Sequence, residues 1–280
     1  MENHSHPSLH WQSQLLLLIV VPASCLWIFL QAWDRLQAHD PVILQMAGLS
    51  IAFGLTVWAL GAATGPAAAT GAVIAGCLYL RAPGWHTALI PLLAMLILTL
   101  LATRTGRAHK EALGTAESRR GRGATQVAAN LGITALASLP LTATQLFSPT
   151  PKSDLIALVA ISAALAEAAA DTLSSELGQV FGGQPRLITT FRPVPAGTDG
   201  GITLAGTAAG AVGAALVTAV AAVTFQLNLR LGGVVVVCAV LGLLFDSLIG
   251  AIFERRGWLN NDAVNFLSTL FSAAIAALLV

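Results

Sequence analysis

Apolar runs about as long as a bilayer is thick follow one another along this chain, and they restrict it to very few folds. A membrane-spanning helix needs roughly 20 mainly apolar residues. Runs of that kind occupy residues 14–33, 42–63, 85–102, 124–147, 154–177, 202–225, 232–253 and 263–280, with a shorter Ala- and Gly-rich one at 65–80. Only 10% of the residues are charged and 56% are hydrophobic, whereas soluble domains carry about 25% charged residues. The expected fold is therefore all-α: a polytopic integral membrane protein of about nine transmembrane helices. Residues 1–280 read as a single transmembrane domain. Residues 1–102 form peripheral N-terminal helices, and residues 123–280 form the core that bears the polar motifs. Pro140 should kink the helix expected over 124–147.

One stretch breaks the pattern. Residues 186–210 read RLITTFRPVPAGTDGGITLAGTAAG, with two arginines, two prolines, an aspartate and five glycines. Gly197, Gly200 and Gly201 free the backbone for positive φ, and successive N–H groups there would curl around an anionic oxygen. The helix expected to follow would add its N-terminal dipole. Thr198 and Thr203 bring hydroxyl donors, and Arg186 and Arg192 bring planar grips suited to phosphate. Asp199 suits a metal ion better than an anion.

The basic residues suggest an orientation. The connection over 103–123 holds Arg104, Arg107, Lys110, Arg119, Arg120 and Arg122. Placing it in the cytoplasm and alternating brings Arg186, Arg192, Arg255 and Arg256 to the same face. Arg35, Arg81, Lys152 and Arg230 are left on the other. The N-terminus is then cytoplasmic, and the Gly-rich loop is a cytoplasmic loop. Net charge is near neutral, so nothing points to a nucleic-acid partner.

Carboxylates inside a span are costly and mark function by default. Glu167, Asp171 and Glu176 lie in AEAAADTLSSELG, and Asp246 lies in LGLLFDSLIGAIFERRG. Helical spacing puts Glu167, Asp171 and Gly178 on one stripe and turns Glu176 away from it. Asn260, Asn261, Asp262 and Asn265 cluster after the second of these runs. A helix cap accounts for one of the first three. Gln126 and Asn130 share a face, four residues apart. Oxygen ligands without paired Cys or His suit a hard ion, which favours Mg2+. Cys25, Cys77 and Cys238 sit in apolar runs as small hydrophobes. Mg2+ beside a glycine loop and arginines points to phosphoryl transfer.

Four segments resemble one membrane family, that of the plant phytyl-phosphate kinases and animal transmembrane protein 19. They are QVAAN within 123–130, DTLSSELG at 171–178, RLITTFRPVPAGTDGGITLAG at 186–206, and DSLIGA followed by NNDAVNF within 246–266. The resemblance implies an isoprenoid-phosphate kinase. It would move a phosphoryl group from a nucleotide triphosphate, CTP favoured, to phytyl phosphate or geranylgeranyl phosphate. In that reading Asp171, Glu176 and Asp246 hold Mg2+. Gly197, Thr198, Asp199, Gly200 and Gly201 cradle the nucleotide phosphates, and Arg186 and Arg192 neutralise developing charge. Asn130, Asn261 and Asn265 position the nucleotide or the acceptor. The prenyl tail would lie between helices with small-residue faces. The host membrane would be a prokaryotic cell membrane or a thylakoid or plastid-type membrane, and a homo-oligomer is left open. Two other readings compete: a transporter or flippase for an anionic solute or lipid carrier, and a CTP-dependent cytidylyltransferase acting on a lipid phosphate.

Overall fold

The computed structural model describes residues 9–118, 120–140 and 150–280. Its helices are α1 (His10–Gln37), α2 (Val42–Ala59), α3 (Gly65–Arg81), α4 (Leu89–Arg104), α5 (Arg107–Leu113), α6 (Ala124–Ser138), α7 (Pro151–Phe181), α8 (Leu204–Phe225), α9 (Leu229–Ile249) and α10 (Asn261–Leu278). The protein is an all-α polytopic membrane protein. Among the described residues, seven helices are long and apolar enough to cross a bilayer: α1, α2, α4 with the short turn before it, α7, α8, α9 with the turn after it, and α10.

Two of the nine expected spans are shorter. Helix α3 has 17 residues. Helix α6 runs for 15 residues and stops at Ser138. It does not continue to residue 147 with a kink at Pro140. Leu139 is extended, with φ −85° and ψ 154°, as the residue before a proline prefers. The remainder of that expected run, 141–147, lies outside the described residues.

Helix α7 is the central post. It packs against α8, α10, α9, α4 and α6, and 78% of its apolar window is buried. Its sequence explains why: AISAALAEAAA offers almost no side-chain bulk, so neighbouring backbones come close, and in lipid such packing replaces the hydrophobic drive. Helix α8 uses this most. A Cβ on Gly206 would lie 2.6 Å from the Ser174 carbonyl oxygen, and one on Gly210 would lie 2.7 Å from that of Ala170. Around this post, α1 packs on α3 and α6, and α2 packs on α3.

Caps set the helix starts. Thr150, Thr203, Asn228 and Asn260 each accept a hydrogen bond from a backbone N–H of the first turn, opening α7, α8, α9 and α10. Each such cap stabilises its helix by about 1 kcal/mol. Asn260 also donates to the Leu9 carbonyl and the Ser13 hydroxyl, tying α1 to the start of α10. His86 meets the Thr224 carbonyl oxygen at 2.6 Å and so fixes the turn before α4 on the end of α8.

The loop between α7 and α8 is not helical and not loose. Strand β1 (Arg186–Leu187) pairs antiparallel with β2 (Gly201–Ile202), with Arg186 opposite Ile202. This pairing claims Ile202, so α8 begins at Leu204 and not at 202. After Ile249 the α9 backbone widens into a π-helical turn, Gly250–Glu254. Such turns collect at functional sites.

Candidate functional site

One polar cavity lies where the ends of α6, α7, α9 and α10 meet the β1–β2 loop. It encloses about 1300 Å3 of empty space, its open mouth included. Asp171 and Gly178 of the predicted stripe face it from α7 together with Ser174 and Ser175, whereas Glu167, the first residue of that stripe, is not in the cavity wall. Gln126 and Asn130 face it from α6, Asn261 and Asn265 from α10, and Asp246, Ser247, Gly250 and Glu254 from α9 and its π turn. The loop contributes Gly197, Thr198, Asp199, Gly200 and Gly201. Asn265 donates to the Asn130 side-chain oxygen at 2.9 Å, joining α10 to α6 across the cavity.

The loop is held in shape by its own backbone. Val194 N–H donates to the Pro185 carbonyl at 3.0 Å, Ile188 N–H to Gly200 at 2.9 Å, and Gly201 N–H to Thr198 at 2.9 Å. Gly197 and Gly200 take the positive φ expected of them, +79° and +73°, but Gly201 does not, because it is paired in β2. Gly200 also presses on α9: a Cβ there would stand 2.6 Å from the Ser247 carbonyl oxygen and 2.4 Å from the Ala251 Cβ. The expected run of successive free amides is not what forms. The N–H groups of Thr198 and Gly201 are committed to the Pro195 and Thr198 carbonyls. Partial burial pushes the Asp199 carboxyl up from its ordinary range, and the nearby Arg255 charge opposes that shift.

Two expected residues are elsewhere. Arg186 and Arg192 are both exposed and are not part of the cavity wall. Arg186 donates to the Phe191 carbonyl at 2.9 Å and fastens the β-turn side of the loop. The physical cause is the β1–β2 pairing, which turns this edge of the loop outward. The guanidinium in the wall is Arg122, just before α6. Its backbone is anchored by the Ala62 carbonyl and Thr64 N–H, and its side chain donates to the Thr172 hydroxyl at 3.2 Å.

Glu176 reaches the wall although α-helical spacing turns it off the Asp171 stripe. It does so as the partner of Lys110, whose ammonium group also donates to the Ala102 and Thr103 carbonyls. Lys110 has 1% side-chain exposure, so all three of its donors are spent inside the protein. The pair clamps α5 against α7, and Glu176 enters the site with its charge already balanced.

Sequence reading missed Arg122, Lys110 and Glu254 as site neighbours. Glu254 carried a signal, since residues 246, 250 and 254 repeat at four, the spacing of one helix face. Arg122 directly precedes a recognised segment. Lys110 carried none, because its partner is 66 residues away.

The Asp246 and Glu167 carboxylates each keep one buried oxygen, Oδ2 and Oε1, with no hydrogen-bond partner among the described residues. A buried oxygen in that state calls for a proton, a water or a cation. Among the described residues, no three Asp, Glu, His or Cys side chains stand close enough to hold a metal by themselves.

All of these residues fall within 48–273, the span that matches the family described as "Integral membrane protein DUF92". The chain belongs to the DUF92 family. It is 34% identical over 252 residues to an uncharacterized membrane protein of Synechocystis, covering 87% of this chain and 90% of that one. It is 30% identical over 250 residues to "Protein VTE6, chloroplastic" of Arabidopsis thaliana, covering 88% and 72%. An uncharacterized membrane protein of Methanocaldococcus jannaschii is 44% identical over 124 residues, and that match spans about half of the archaeal relative, 51%. No solved structure matches the chain. Helix α1 (His10–Gln37) precedes the DUF92 match, yet it is bonded through Gln12 to the Trp258 carbonyl and the Asn260 N–H beside the cavity.

Proposed function

We propose that this protein is an isoprenoid-phosphate kinase. It transfers the terminal phosphoryl group of a nucleotide triphosphate, CTP favoured, to phytyl or geranylgeranyl phosphate. The observation that carries the reading is the cavity itself: Asp171, Asp246, the asparagines Asn130, Asn261 and Asn265, the 197–201 loop and Arg122 converge on one mouth, in a chain related to VTE6 over most of its length. In this reading the mouth is cytoplasmic, with the N-terminus on the same side, and the lysine and arginine bias supports that orientation.

The chemistry needs little from a base. A phosphate monoester has a second pKa of about 6, so the acceptor oxygen is ionised near neutral pH. That oxygen attacks the terminal phosphorus, the bond to the bridging oxygen breaks, and the nucleoside diphosphate leaves with that bond's electron pair. The protein's part is positioning and charge stabilisation. Arg122 neutralises charge developing on the transferred group, the role first expected of Arg186 and Arg192. Asn130, Asn261 and Asn265 orient the acceptor and nucleotide oxygens, and the 197–201 loop encloses the nucleotide phosphates.

Asp171 and Asp246 would hold Mg2+. The fit is supported by the unpartnered Asp246 oxygen and by the hard oxygen donors around it. A set of fewer than three carboxylates suits Mg2+, which is usually bound by one or two carboxylates plus substrate phosphates and water. When bound, it screens the charge of the phosphates. Glu176 supports Lys110 and stands outside this ligand pair.

The test is direct. Purified protein is given Mg2+, each nucleotide triphosphate, and phytyl, geranylgeranyl or farnesyl monophosphate, and the lipid product is read by mass spectrometry. A prenyl diphosphate with a nucleoside diphosphate is expected, and Asp171→Asn should lower its formation at least about tenfold, or about 1.4 kcal/mol of barrier. A CMP-linked lipid with pyrophosphate, or lipid movement without chemistry, would overturn the proposal.

A further inference from the structure

A second cleft adjoins the polar cavity. It encloses about 930 Å3 of empty space, again with its mouth included, and is mostly apolar. Helix α4 supplies its long wall through Leu92, Met95, Leu96, Thr99, Leu100 and Thr103. Those positions advance by three, one, three, one and three residues, so they form a single stripe along one helix face. Val57 of α2, Gly71 of α3 and Leu131 of α6 close the other sides. Glu117, Arg122 and Asn130 line both the cleft and the polar cavity. At that shared end Arg104 and Arg107 also face the cleft.

We infer that this cleft holds the hydrocarbon tail of the acceptor and measures its length. The inference rests on the kinase reading for the identity of the head group. Its physical basis is the joint between the clefts. A molecule with an anionic head and an apolar tail can place the head against Arg122 and run the tail along α4 without crossing a polar wall. Arg107 is paired with Glu111 and Glu117 also lines the joint, so Arg104 and Arg122 with Arg107 outnumber the acidic groups there and leave the joint positive for an anionic head.

The dimensions choose among tails. From Leu92 to Thr103 a helix advances about 17 Å at 1.5 Å per residue. An extended chain gains about 1.2 Å per bond, judging from the reach of an extended polypeptide, so the stripe accommodates roughly fourteen bonds. A prenyl chain of four isoprene units has about fifteen in its main chain, whereas three units fall short of the end and one unit occupies only the mouth. The N-terminal helices α2, α3 and α4 thus become the substrate-selecting part of the molecule, and the matched motifs supply the chemistry.

The experiment uses a geranylgeranyl monophosphate carrying a diazirine near the end of its tail. After photolysis of the intact protein in nanodiscs, the label is located by peptide mass spectrometry. Label within 92–103 or at the facing α2 and α3 segments is expected, and excess geranylgeranyl phosphate should suppress it more strongly than phosphatidic acid does. Label on helices that do not line the cleft, or equal suppression by phosphatidic acid, would overturn the inference, the latter by showing an ordinary lipid site. In a second arm, Thr99→Phe fills the middle of the stripe. The ratio of kcat/KM for geranylgeranyl over dimethylallyl phosphate should fall at least about tenfold, and an unchanged ratio would overturn the inference. Labelling needs no turnover. Label in the cleft of a protein that phosphorylates nothing would refute the kinase and leave the cleft assigned. Active protein labelled elsewhere would do the reverse.

Discussion

Replacing Gly200 by alanine tests whether the β1–β2 loop is seated on α9 as a working part of the cavity. Two costs add. The residue has φ +73°, a conformation that costs an L-residue with a Cβ about 1–2 kcal/mol. The new Cβ would also stand 2.6 Å from the Ser247 carbonyl oxygen and 2.4 Å from the Ala251 Cβ. The carbonyl is backbone and cannot swing away, so the loop must lift from α9, and overpacking of this kind costs about 1–3 kcal/mol. The sum is about 2–5 kcal/mol. Gly114 is the matched control: its φ is also +73°, and a Cβ there meets nothing within 4 Å, so Gly114→Ala carries only the conformational cost. Melting of both variants in the same detergent should separate them, with the Gly200 variant lower by roughly 2–4 °C for each additional kcal/mol. Prenyl diphosphate formation should fall at least about tenfold in Gly200→Ala. Equal melting losses in the two variants, with wild-type turnover in Gly200→Ala, would refute the seating of the loop against α9.

Two further comparisons probe the charges. Arg122→Gln should lower turnover by about 100-fold or more, the scale of a lost donor to transition-state charge, whereas Arg186→Gln should stay within about threefold; steady-state rates with the reverse order would remove Arg122 from the site. Lys110→Met alone leaves the Glu176 charge buried and should cost about 3–5 kcal/mol. The pair Lys110→Met with Glu176→Leu should melt higher than that single variant, and a double variant that melts at the sum of the two single losses would refute the clamp between α5 and α7.

Much of the fold was legible because it follows from local rules. Apolar runs of bilayer length can only become helices in lipid, where each backbone group must find its partner internally. The Asp171 stripe, the Asn130 and Gln126 face and the positive φ of Gly197 and Gly200 were legible for the same reason, since each depends on a few consecutive residues. The early end of α6 was misread because a pre-proline residue can either kink or stop a helix, and neighbouring packing decides which.

Sequence alone therefore determined that this chain crosses a membrane as helices, and which short segments carry polar groups too costly to be lipid-facing. Tertiary structure decided which of those groups meet. It turned Arg186 and Arg192 outward through a two-residue strand pairing, brought Arg122 in by anchoring its backbone between α2 and α3, and neutralised Glu176 with a lysine from a distant short helix. Spacing along a chain sets the face of a helix, but the rotation and approach of separate helices depend on the packing of small side chains such as those of α7 and α8, and no single segment contains that information.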